Sequence, residues 1–135
     1  MVEITDKPIS PEFVVNQVKT NSSGCALAYI GLIREYSQGK RVLSVEYEDS
    51  KGMAENRLRE LATEVKQKWQ LNNIAIIHRI GKLKVGDINI VIAVASTHRQ
   101  EGFAACQYVI DQFKQRMPTR KTETYQDGSI WVEGE

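Results

Sequence analysis

The chain has 135 residues, 41% hydrophobic and 26% charged, with 18 Lys and Arg against 17 Asp and Glu. That length suits one domain spanning 1–135, with a core large enough to need neither disulfide nor structural metal. A formal net charge of +1 excludes a chain that binds nucleic acid or a membrane surface through bulk charge, so any anion site must come from local clustering.

Residues 2–5 read as a short strand. Ser10-Pro11-Glu12 is a helix start, with a capping hydroxyl, proline at the first helical position and an acid in the first turn. That helix is expected to reach about Lys19 with Phe13, Val14 and Val18 inward. No apolar signal core precedes it and no run approaches membrane-spanning length, which makes the cytoplasm the expected compartment. After the loop Asn21-Ser22-Ser23-Gly24, the stretch Cys25 to Ile33 is apolar throughout, as in a strand covered on both faces. Arg41 to Glu48 alternates, with Leu43, Val45 and Tyr47 on one side. The two are expected to be antiparallel neighbours.

Met53 to Trp69 is helical, with Ala54, Leu58, Leu61, Ala62, Val65 and Trp69 on one stripe. Ile74 to Ile80 and Ile88 to Ala95 are strands separated by the turn Lys84-Val85-Gly86-Asp87. A third helix is expected from about Gln100 to Met117, with Phe103, Cys106, Ile110, Phe113 and Met117 inward. Beyond Pro118, Thr119 to Tyr125 and Ile130 to Glu133 read as a hairpin around Asp127-Gly128. The order β-α-β-β-α-β-β-α-β-β predicts an α+β domain with a mainly antiparallel sheet.

No metal site or cofactor is expected. Cys25 and Cys106 are far apart without CxxC spacing, and His78 and His98 have no partner at ligand spacing. GxGxxG, Walker and GxSxG signatures are missing from the sequence. Candidate chemistry is instead cationic. Lys114 lies roughly 40° around its helix from Ile110, at the edge of the apolar stripe; its bland alternative is a snorkelling lysine whose stem covers core. Lys121 and Arg120 follow the proline, and a solvated strand face is their alternative. The reversal at Pro118 is expected to bring Lys114 and Lys121 within reach of each other. Two ammonium groups held close would depress each other's pKa and supply a nucleophile or acid–base group near neutral pH. His98 and Arg99 stand between a strand end and a helix start, where backbone N–H groups and the helix dipole favour an anion; capping and solvation are the alternatives. Arg34 ends the apolar strand in a similar way. His78, alternating with isoleucines, reads as a hydrogen-bonded core or interface residue.

Several segments, in order, carry a resemblance: Gly31-Leu32-Ile33-Arg34, Glu46-Tyr47-Glu48, Gly52-Met53-Ala54-Glu55, Ile77-His78-Arg79-Ile80-Gly81, Gly86-Asp87, Ser96-Thr97-His98-Arg99, Phe103-Ala104-Ala105, the lysines at 114 and 121, and Trp131-Val132-Glu133. Together they resemble the large, catalytic subunit of molybdopterin synthase over nearly the whole chain. The resemblance implies an α/β hammerhead fold with a small added β-subdomain. It also implies a homodimer within a heterotetramer, with a small ubiquitin-like sulfur-carrier subunit on each copy. That carrier's Gly-Gly C-terminus would bring a thiocarboxylate to the pocket. The substrate would be cyclic pyranopterin monophosphate, which receives two sulfurs to form the dithiolene of molybdopterin.

By position, Lys114 and Lys121 match the family's essential lysines, while Arg34, His98 and Arg99 match residues lining its anion pocket near the dimer interface. Arg120, counted with the substrate-binding group, stands where relatives commonly have an aromatic. Ile110 replaces a methionine of some relatives, and some also have a longer tail beyond Glu135. The competing reading is a non-catalytic module, either a scaffold or an anion and nucleic-acid binder using Lys114, Arg116, Arg120 and Lys121. Near-neutral charge and the lack of interleaved aromatics argue against nucleic acid.

Overall fold

The computed structural model describes residues 1–116 and 118–134. The elements run β1 (Val2–Thr5), α1 (Pro11–Val18), β2 (Cys25–Leu32), β3 (Tyr36–Ser37), β4 (Lys40–Glu48), α2 (Ala54–Trp69), β5 (Asn73–Arg79), β6 (Gly81–Leu83), β7 (Ile88–Ser96), α3 (Arg99–Gln115), β8 (Arg120–Tyr125) and β9 (Ile130–Glu133).

The first sheet has the order β1-β5-β7-β2, with β1 parallel to β5 and the other pairs antiparallel. Its β5 and β7 residues point alternately into two cores. On one face Ala75, Ile77, Val91, Ala93 and Ala95 meet Val14 and Val18 of α1. On the other, Ile74, Ile76, Ile90, Ile92 and Val94 meet Leu58, Leu61 and Val65 of α2 and Val109 and Phe113 of α3. Two covered faces explain why these strands are apolar at successive positions. Each fully buried Val or Ile contributes about 1.5–3 kcal/mol.

The second sheet is smaller, ordered β3-β4-β8-β9 with β6 also paired to β4. Its core is Ile33, Val42, Val45, Tyr47, Leu83 and Tyr125. The α+β class with mainly antiparallel pairing is thus as the sequence pattern predicts, and the lesser β-subdomain is as the resemblance implies. The chain crosses between the sheets from β5 to β6, and Gly81 turns that corner at φ +97°, a region that L side chains rarely adopt.

Local signals set several boundaries. Ser10 caps α1, its Oγ accepting from the Phe13 N–H at 3.2 Å. Asp49 Oδ1 accepts from the N–H groups of Met53 and Ala54 at the start of α2, and Gln70 ends that helix in the left-handed region. Gly102 lets α3 lie close to β2, because a Cβ there would meet Ser96 Oγ at 2.9 Å and Leu27 Cδ1 at 3.2 Å.

Five expectations are corrected. β2 and β4 are not neighbours: β2 pairs with β7, and β4 belongs to the second sheet. β2 is also an edge strand, covered on both faces only over its first part, where Ala26 packs on the α1 side and Leu27 and Tyr29 on the other, leaving Leu32 59% exposed and Ile30 41%. In β4 a bulge between Val42 and Ser44 throws Leu43 outward, so Val42, Val45 and Tyr47 supply the core. Phe13 is exposed. The buried stripe of α3 is Gly102, Ala105, Cys106, Val109 and Phe113, with Phe103 61% exposed, because small residues face the sheet over the first half of the helix. Met117, assigned to that stripe from sequence, lies outside the described residues. β3 and β6 are two and three residues long, too short to show a period in sequence.

Candidate active site

A cleft of ≈ 410 Å³ opens where the two sheets meet the C-terminal end of α3. Three cations reach it from three elements. Arg34 follows β2, on a segment pinned by the bonds Ile33 N–H to Asp87 O (3.0 Å) and Gly86 N–H to Ile33 O (2.9 Å). Lys114 sits in the last turn of α3, beside the buried Phe113. Lys121 stands on β8, in register with Tyr47 of β4 and Glu133 of β9. The apolar wall includes Tyr29, Ile90, Ile92, Ile110 and Phe113, and Trp131 closes one side.

Lys121 is not simply one of two facing ammonium groups. Its Nζ lies 3.3 Å from Glu123 Oε2, and the two side chains are 21% and 4% exposed. Glu123 also accepts from Ser37 Oγ at 2.7 Å and from Tyr125 Oη at 2.6 Å. Burial pushes its carboxyl up, but the Tyr125 and Ser37 bonds and the Lys121 ammonium outweigh this and hold it below the ordinary value. Tyr125 in turn is pushed up to about 12, by burial first and then by its bond to Glu123. Glu123 is therefore an ionised anchor that fixes the lysine. Sequence reasoning passed over it, although Lys121 and Glu123 are two apart on a strand and so share a face.

Also lining the cleft, Tyr47 Oη accepts from Asn89 Nδ2 at 2.8 Å, and burial raises the Tyr47 hydroxyl to about 12. His78 is fully buried and hydrogen-bonded through both ring nitrogens, the core role its pattern suggested.

The other proposed site residues lie elsewhere in the single chain. His98 and Arg99 are exposed at the N-terminal end of α3, about 22 Å along the axis from Lys114. His98 occupies the N-cap position but makes no side-chain capping bond. Arg120 alternates with Lys121 on β8 and is exposed, so it presents to the opposite face. Arg116 is held by Gln112 Oε1 (2.5 Å) and Glu64 Oε1 (3.4 Å). Among the described residues no cluster of three or more His, Cys, Asp or Glu could hold a metal, and no helix is long and apolar enough to cross a membrane.

The model for the MoaE protein family matches residues 4–116. The chain belongs to the MoaE family. It is 38% identical to a Bacillus subtilis molybdopterin synthase catalytic subunit over 130 residues, covering 96% of this chain and 83% of that protein. That span takes in β8 as well. It is 35% identical to the human molybdopterin synthase catalytic subunit, covering 97% and 70%. The crystal structure of molybdopterin synthase from Staphylococcus aureus superposes with a TM-score of 0.89 at 33% identity, covering 98% of this chain and 96% of that one. MoaE membership gives the cleft cations a chemical context: these relatives are named as the catalytic subunits of a synthase.

Proposed function

We propose that this chain is the catalytic subunit of a molybdopterin synthase and that the cleft is where sulfur is transferred. The carrying observation is that Lys114 and Lys121 arrive from a helix end and a strand at one partly enclosed cleft, with Arg34 beside them, in a chain of the MoaE family. The substrate, cyclic pyranopterin monophosphate, brings a phosphate. The Gly-Gly tail of a small ubiquitin-like carrier brings a thiocarboxylate. Both are anions, and charge develops further as sulfur bonds to the pterin and water replaces it on the carrier's acyl carbon, breaking the C–S bond and leaving the carrier as a carboxylate. Ammonium groups lining the cleft, Lys121 among them held by Glu123, stabilise that charge. Lys121, aligned by Glu123, would face the substrate, and Lys114 would lie against the tail. The reading places the protein in the cytoplasm and assigns it no cofactor, membrane or nucleic-acid partner.

Arg34 needs no second copy to reach the cleft. His98 and Arg99 would join an anion site only through one, which fits a homodimer carrying two carriers as a heterotetramer. The exposed Ile30 and Leu32 at the β2 edge and Phe103 on α3 supply apolar surface for such an interface. Arg120, facing away, would contact the carrier rather than the pterin.

The test is reconstituted dithiolene formation from thiocarboxylated carrier and the cyclic pterin. Lys121→Ala and Lys114→Ala should each lower turnover per folded molecule by roughly 10²–10³-fold with carrier affinity near wild type. Lys114→Ala should keep thermal stability, while Lys121→Ala should lose some because it leaves the buried Glu123 without its cation. Full turnover by both variants would refute the assignment.

A further inference from the structure

One buried polar group next to the cleft has no part in the roles above. His78 of β5 is 0% exposed, so it cannot touch a ligand. Its Nδ1 lies 2.9 Å from the main-chain oxygen of Asn89, and its Nε2 lies 3.0 Å from Thr119 Oγ1. A carbonyl only accepts, so Nδ1 carries the hydrogen and Nε2 accepts from the threonine hydroxyl. The ring is also edge-on to Tyr47, with centroids 4.9 Å apart, and to Phe113, at 5.1 Å.

These four partners belong to four different parts of the fold: β7, β4, the end of α3 and the residue that leads into β8. Three of them line the cleft. Phe113 directly precedes Lys114, and Thr119 stands two residues before Lys121. An apolar side chain of the same size would fill the space without the cost of burying an imidazole. Space filling therefore leaves unexplained a ring that is satisfied on both nitrogens by the elements carrying the two lysines.

We propose that His78 is a positioning residue for sulfur transfer, holding the end of α3 through Phe113 and the start of β8 through Thr119 so that Lys114 and Lys121 keep a fixed spacing. This rests on the reading that those two lysines act in the transfer. The bond from Thr119 sets where β8 begins, and the Phe113 contact sets the rotation of the last turn of α3. A small shift of either moves an ammonium group relative to the reacting atoms, and misplacement by about 1 Å costs rate steeply.

The experiment is single-turnover sulfur transfer by the full chain with thiocarboxylated Gly-Gly-tailed carrier and cyclic pyranopterin monophosphate. Thr119→Val keeps the side-chain shape but removes the hydroxyl. It should slow transfer by roughly 10- to 100-fold with carrier affinity unchanged, and Thr119→Ser should restore most of the rate. His78→Phe should slow transfer similarly, and adding Thr119→Val to it should cost little more, because both break one coupling. If His78→Phe does not fold, the Thr119 pair decides alone. A wild-type rate in Thr119→Val, or equal losses in the valine and serine variants, overturns the proposal. Lys121→Ala runs alongside: if it is inactive while Thr119→Val is normal, only the positioning role fails. If Lys121→Ala turns over normally, the lysine assignment itself fails and the positioning role goes with it.

Discussion

In the first sheet, β5 and β7 send successive side chains into two helix-covered cores, and polar groups within it are few. In the second, a core of six residues shares its strands with Lys121, the buried Glu123 and the cleft. The two regions divide the work. The first supplies most of the apolar burial; the second holds charged groups at fixed positions through hydrogen bonds that a larger apolar core would displace. Buried charge is tolerable there because it is paired: Glu123 has Ser37, Tyr125 and Lys121 around it.

The largest contrast should come from Ile77→Ala. Ile77 is 3% exposed in the α1-side core, on the face of the first sheet away from the cleft. Truncation should cost about 2–5 kcal/mol of stability through lost burial and a residual cavity, read by denaturant unfolding. Sulfur transfer per folded molecule should not change. A loss of rate at full folding would show that the two regions are not separable in this way.

Acid probes the joint between them. Burial lowers His78 from 6.5 to about 4, with Asn89 and Asp49 opposing weakly. The folded state thus favours the neutral ring, and between those values the unfolded chain binds more protons. The His78 contribution is complete above pH 6.5 and is lost as pH falls towards 4, on the order of 3 kcal/mol. Glu123, held below its ordinary value, adds a loss in the same direction at lower pH. Stability measured by urea unfolding should fall across this window, and His78→Phe should flatten its upper part. A wild-type curve flat from pH 7 to 4.5 would contradict the buried neutral ring.

This division also explains what the sequence could convey. The strands and helices around the first sheet were legible because burial on defined faces writes a period: Ala54, Leu58, Leu61 and Val65 on α2, and Ser10-Pro11 at the start of α1. The β2–β4 pairing was misjudged because adjacency in sequence suggests a hairpin, while pairing with β7 is a long-range choice with no local mark. Leu43 fell on the wrong face because a bulge shifts the alternation without altering composition. At the cleft, Lys114, Lys121 and Arg34 could be named as cations at element ends. Glu123 shares a face with Lys121 and so carries a local mark, but its burial and its bond to Ser37 of β3 do not, and neither do the partners of His78, which come from distant elements. Arg120 was grouped with Lys121 by adjacency, although neighbours on a strand face opposite ways.

The smallest expected effect isolates the polar packing of the second sheet. Tyr125 is 2% exposed and its hydroxyl donates to Glu123, so Tyr125→Phe removes one hydrogen bond to a carboxylate and leaves the ring in place. The loss should be about 1.5 kcal/mol, well below that of Ile77→Ala. Ser37 and Lys121 still hold Glu123, and its carboxyl should rise from its lowered value because the Tyr125 bond that opposes burial is gone. The deficit should therefore be widest above about pH 5 and narrow as acid protonates Glu123 in both proteins. Turnover should fall less than for Lys121→Ala, because the lysine keeps its carboxylate partner. A deficit that instead grows as pH falls would mean that Tyr125 stabilises the protonated acid, and Glu123 would then not be the ionised anchor of Lys121.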